Sequence, residues 1–216
     1  MDTTENTTPA DKDVSRTVLT QLIGLGAYAA LSAQTRLAKD GDQAPRPFER
    51  VDMARMSAAA WTAFEDVAKR ATREHIDILE AIAPYDGLLD DLDARTRPTT
   101  WWERMTKTYV AMGVFTDALR EIARLAGEDE FGESVSDFGH ADWVRERLAP
   151  ATAEDAQLRA RLSLWTRRVG GEALGLVHAF FYTNTDIVTD DTDTAETMQR
   201  ITARHQERLA AVHLQA

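Results

Sequence analysis

From Val14 to Leu214 the apolar residues recur at the three-to-four spacing of amphipathic helices, and no stretch shows the strict alternation of a half-buried strand. That regularity confines the chain to all-α architectures. Helix-breaking residues divide it into about six helices. The first is predicted from Val14 to Lys39, stopping at Asp40-Gly41-Asp42. A second spans Phe48 to Ile82, ended by Pro84, and its length predicts a kink or break around Arg73–His75. Asp86–Pro98 is expected to be a connector with a helical turn. Thr100 with Glu103 three residues on is a capping box for a third helix, which reaches Ala126 before Gly127. A fourth is expected over Asp129–Leu148, closed by Pro150, and a fifth opens at Thr152 and Asp155 and runs to Tyr182. A last amphipathic helix passes through Met198, Ile201, Leu209 and Val212. Long helices in successive pairs predict an antiparallel four-helix bundle with additional helices.

These boundaries divide the chain into a disordered acidic tail (1–13), the bundle (14–182), an acidic linker (183–193) and a C-terminal helix (194–216). Hydrophobic residues make up 44% of the 216, enough for a core without staples. There is no cysteine, which removes disulfides, thiolate metal sites and a thiol nucleophile. Carboxylates and five histidines are left as metal ligands.

Thr17–Thr35 carries no charge, but Gln21, Ser32 and Gln34 interrupt it. It is read as a helix buried on most of its circumference in a bundle, not as a membrane span. With no basic leader before it, the expected address is the cytoplasm. The net charge of −11 repels phosphate backbones, so nucleic acid is not an expected partner. Arg145, Arg147, Arg167 and Arg168 are read as solvated helix faces.

The sharpest local feature is Asp137-Phe138-Gly139-His140. On a helix, a carboxylate and a histidine three residues apart face one side and can present two ligands to one metal. The ordinary alternative is a buried histidine bonded to Asp137 or Glu172. Glu74-His75 with Asp77 and Glu80 lies in a charged run and reads as a solvated face. Of Trp101-Trp102, one is expected in the core and one exposed, and Phe180-Phe181-Tyr182 is expected to dock the last helix.

Several stretches, in order along most of the chain, carry a resemblance. They are Leu25-Gly26-Ala27-Tyr28, Ala54-Arg55-Met56-Ser57-Ala58-Ala59, Asp93-Ala94-Arg95-Thr96-Arg97-Pro98, Arg120-Glu121-Ile122-Ala123, Gly139-His140-Ala141-Asp142, and Leu164-Trp165 through Arg167-Arg168 to Gly171-Glu172-Ala173-Leu174. In these the chain resembles ferritin-like proteins related to the tRNA isopentenyl-adenosine hydroxylases. The resemblance implies a bundle whose helix carboxylates and Glu-x-x-His pairs hold a di-iron centre.

The departures from that pattern carry the functional expectation. Where relatives carry a Glu after the first-helix Tyr, this chain has Tyr28-Ala29-Ala30. Where they show Glu-x-x-His, it reads Ala60-Trp61-Thr62-Ala63, and Met112 stands where an acid is expected. The candidate ligands left are Asp117, Asp137, His140 and Glu172, a vestigial set too small for two irons. The alanines and Trp61 are expected to fill the vacated half as core. The first expectation is a non-enzymatic protein with no cofactor, acting through contact with another protein or as a homodimer through a long helix. The second is an iron-dependent hydroxylase of the tRNA-modifying type using the four residues. The third is a carrier of a small apolar ligand, with a pocket lined by Met112, Trp61 and Phe64.

Overall fold

The computed structural model describes residues 9–184 and 191–215, with side chains described over 16–184 and 194–215. The described residues are helical and contain no strand. The helices are α1 (Pro9–Asp42), α2 (Pro47–Arg73), α3 (Ile78–Ile82), α4 (Asp90–Arg95), α5 (Trp101–Leu125), α6 (Asp129–Ser134), α7 (His140–Glu154), α8 (Ala156–Thr183) and α9 (Asp191–Ala210). A 3-10 turn, Ala83–Tyr85, follows α3. The all-α bundle expected from the periodicity is what forms.

Helix α1 starts at Pro9, five residues before the predicted Val14; the rest of the predicted tail lies outside the described residues. Most of the predicted linker does as well. Helix α1 packs against α2, α3 and α5, which accounts for its charge-free stretch: Leu22, Ile23 and Ala27 are fully buried along it. Among the described residues no helix is long and apolar enough to cross a membrane.

The long second helix breaks where its length demands it. Helix α2 ends at Arg73, His75 takes a left-handed backbone (φ 54°), and Asp77 caps α3 by accepting from the Leu79 and Glu80 amides. The Thr100–Glu103 capping box forms as predicted.

The predicted fourth helix is corrected. It divides into α6 and α7, because Phe138 (φ 59°) and Gly139 (φ 79°) put two consecutive left-handed residues between them. Helix α7 then runs through Pro150 to Glu154. Thr152, predicted to open the next helix, is instead buried inside α7 and donates to the Leu148 and Val212 carbonyls, pinning the C-terminus. Asp155 alone caps α8, accepting from the Gln157 and Leu158 amides.

Helices α5 and α8 pack together, α9 lies across both, and α7 closes one side. Two apolar clusters sit toward opposite ends of the bundle. One contains Leu22, Val114, Ile122, Val177, Phe181 and Ile201, and the other Leu37, Tyr109, Trp143, Leu148, Leu162 and Leu209. Phe181 thereby meets α9 as expected, whereas Tyr182 is exposed. Helix α2 is held differently. It lies along α1 and touches little else, so it stands away from α5.

Candidate functional site

The three carboxylates among the four candidate ligands are each engaged elsewhere. Asp137 lies in the loop before α7, where its carboxylate accepts from the Gly139 and Ala141 amides. His140 is fully buried, stacked on Trp143 with ring centroids 6.0 Å apart, and its Nε2 has no hydrogen-bond partner. Burial pushes its pKa down to about 4, against a small opposing pull from Asp137. It is the buried histidine of the ordinary reading, but neither carboxylate offered for it holds that nitrogen. Glu172 is partly exposed on α8 and pairs with Arg95 at 3.3 Å. Asp117 is buried on α5, where Arg208 donates to it at 2.5 Å.

Asp117 belongs to a charged seam between α5 and α9. One turn along α5, the buried Glu121 accepts from Arg200 and Arg124, each at 3.0 Å, and pairs with Arg204 at 3.0 Å. Burial by itself raises the Glu121 pKa; the hydrogen bonds from Arg124 and Arg200 and the field of Arg200 and Arg204 outweigh it and leave the group below its ordinary value. Two glycines let α9 come this close. A Cβ on Gly113 would stand 2.1 Å from Arg208 Nε, and one on Gly170 would stand 2.6 Å from His205 Nε2. His205 is itself buried with Nδ1 unpartnered; burial and then the Arg208 charge push its pKa down to about 4. No sequence signal announced this seam except its spacing: acids four apart at 117 and 121, arginines four apart at 200, 204 and 208.

On the other side of the bundle, the gap between α2 and α5 is a cavity of about 540 Å³ bounded by α1, α2, α5 and α8. Leu25, Ala33, Phe115, Leu119, Val177 and Phe180 supply much of its wall. The positions where the resemblance predicts iron ligands lie on it too: Ala29, Ala30, Ala63 and Met112 all line the cavity, while Ala60 is buried. The expectation that Trp61 fills this space is corrected. Trp61 is 46% exposed, its ring tilted by 32° against Phe64 with centroids 5.1 Å apart, and neither ring lines the cavity, because α2 turns them away from α5.

Three ionic groups on the cavity wall, Arg36, Asp66 and Arg70, are paired with charges beside it. Arg36 pairs with Asp93 at 2.8 Å, and Asp93 also takes buried Lys107 at 2.8 Å. Burial alone would raise the Asp93 pKa, but Arg36 and Lys107 hold it below its ordinary value. Arg70 pairs with Glu128 at 2.6 Å and lies over the Phe131 ring. Asp66 pairs with Lys69 at 2.8 Å. Arg73, Glu74 and Glu130 are exposed.

A di-iron centre does not fit these residues. Alanine and methionine offer no hard donor where the carboxylates are needed, and the carboxylate nearest in sequence on α5, Asp117, is already neutralised by an arginine. Among the described residues no three His, Asp or Glu side chains gather as a cation site.

Residues 13–190 match the ferritin-like domain family of actinomycetes. No curated protein matches the chain.

Proposed function

Because the chain belongs to the ferritin-like domain family of actinomycetes, we propose that it is a non-enzymatic member of that fold that binds a neutral, apolar small molecule in the cavity between α2 and α5. One observation carries this reading: the wall positions that the hydroxylase resemblance assigns to metal ligands are Ala29, Ala30, Ala63 and Met112, and together they line about 540 Å³ of space. That volume is in the range of small-molecule sites, roughly 300–1,000 Å³. The pairing of Arg36, Arg70 and Asp66 with neighbouring charges leaves little net field for an ionic ligand, so burial of apolar surface is the driving force. Tyr28, Ser32 and Thr116 supply hydroxyls for orientation.

Titration with the fluorescent hydrocarbon-like probe N-phenyl-1-naphthylamine tests this. Saturable binding is expected, weakened at least about tenfold by Ala63→Trp, which places an indole in the space. Unchanged binding in a folded Ala63→Trp variant would refute the assignment.

A second reading, contact with another protein, is favoured by the exposed Trp61 on α2, packed against part-buried Phe64. In its homodimer form it predicts that Trp61→Ser converts a dimer to a monomer in sedimentation velocity. A monomeric wild type removes that form.

A further inference from the structure

A second cavity, of about 590 Å³, lies between the start of α2, the start of α5 and α7, and shares no lining residue with the first. Its apolar wall is Trp101, Trp102, Met105, Pro45 and Pro150. Both tryptophans are part-buried, against the expectation that one would be core and the other exposed. Trp101 also meets Trp143 edge-on, with ring centroids 6.4 Å apart. Two indole side chains therefore line the cavity, one of them braced by Trp143.

The polar group that matters is Glu49, in the first turn of α2. It is 1% exposed and lines the cavity. Its Oε1 accepts from Arg46 at 2.6 Å, but its Oε2 is buried without any hydrogen-bond partner. A buried carboxylate oxygen left without a donor is costly, and proteins rarely retain one without a use. The neighbouring guanidinium is committed elsewhere. Arg147 lies 4.1 Å over the Trp143 ring and donates to the Trp143 carbonyl and to Asp52.

An open acceptor on a buried carboxylate, beside tryptophan faces and aliphatic carbon, is complementary to one ligand chemistry. It fits a cation that carries its own N–H donor on an apolar body. We propose that this cavity binds a primary or secondary organic amine. The ammonium donates to Glu49 Oε2, and the carbon body lies against Trp101 and Trp102. A quaternary ammonium would satisfy the aromatic faces but leave Oε2 without a hydrogen, so it binds more weakly. This site stands independently of the apolar cavity and of the function proposed for it.

The test is isothermal titration of the full chain with 2-phenylethylammonium and, as its neutral isostere, 2-phenylethanol. The amine is expected to bind saturably and at least about tenfold more tightly than the alcohol. Glu49→Gln should bring the two to within about threefold of each other. Trp102→Ala should weaken the amine, while Ala63→Trp in the other cavity should leave it unchanged. Circular dichroism establishes that each variant is folded; if Glu49→Gln is not, the amine-to-alcohol ratio and the Trp102→Ala titration decide. Equal affinity for amine and alcohol, no saturable amine binding up to about 10 mM, or full amine preference in folded Glu49→Gln would each overturn the proposal.

Discussion

The two flanks of α5 solve the same problem in opposite ways. Toward α9 the bundle keeps buried carboxylates and closes on them with guanidinium groups, so tightly that glycine is required at 113 and 170. Toward α2 the positions expected to carry acids are alanine and methionine, the helices stand apart, and space is left. A buried charge demands a partner at hydrogen-bond distance and draws neighbouring helices in. A small apolar side chain exerts no such pull, and a void persists where surrounding helices cannot collapse. The difference separates a flank built for rigidity from one with room for a guest.

Breaking the charged flank should have the largest effect. Arg208→Ala leaves Asp117 buried with Arg120, at 3.8 Å, as its remaining ion-pair partner among the described residues. The expected loss is about 3–5 kcal/mol, read as a fall in Tm on the order of 10 °C for a chain of this size. A Tm within a degree of wild type would show that the seam carries no stability.

Next comes pH. His140 and His205 each have a folded pKa of about 4 against an ordinary 6.5. The unfolded chain therefore takes up protons first as pH falls. Stability is complete above 6.5, is lost between 6.5 and about 4, and declines no further from these groups below that. The loss for His140 is on the order of 3 kcal/mol. Urea midpoints at neutral pH and near pH 5 check it, and a flat profile in that window would count against buried neutral imidazoles.

Gly170→Ala should cost about 1–3 kcal/mol, since the added methyl meets the buried His205 ring. The same kind of enlargement on the other flank should do the reverse. Ala63→Leu enters open space and is expected to be neutral or to stabilise by up to about 1 kcal/mol. Equal penalties at 63 and 170 in chemical denaturation would erase the contrast.

Much of the bundle was legible because its signals are local. The Thr100–Glu103 box, the Asp155 cap and the break near His75 each depend on residues within a few positions of one another. The stretch from Asp137 to His140 misled because helical spacing continues across it, while the decisive fact is backbone: Phe138 and Gly139 are left-handed, which takes the pair off a common helix face. Gly139 was the available warning. The seam was invisible for a different reason. Its partners are 79 to 91 residues apart, and arginines four apart on an amphipathic helix look like any solvated face. The cavity was half legible: Met112 lines it as expected, but the alanines leave space where they were expected to fill it as core, and Trp61 faces outward on a helix that lies mainly along α1.

The spacing of the seam has a consequence for register. Asp117 and Glu121 are one turn apart, and so are Arg200, Arg204 and Arg208 on the antiparallel α9. Slide α9 by one turn, about 6 Å, and Arg204 meets Asp117 while Glu121 keeps only Arg200 and Arg208 loses its acid, so charge favours the observed setting by one ion pair. A second notch is steric, the His205 ring seated over Gly170, seconded by the Tyr109 hydroxyl donating to the Arg208 carbonyl. A periodic row of charges supplies adhesion, and one imidazole over one missing methyl supplies the key.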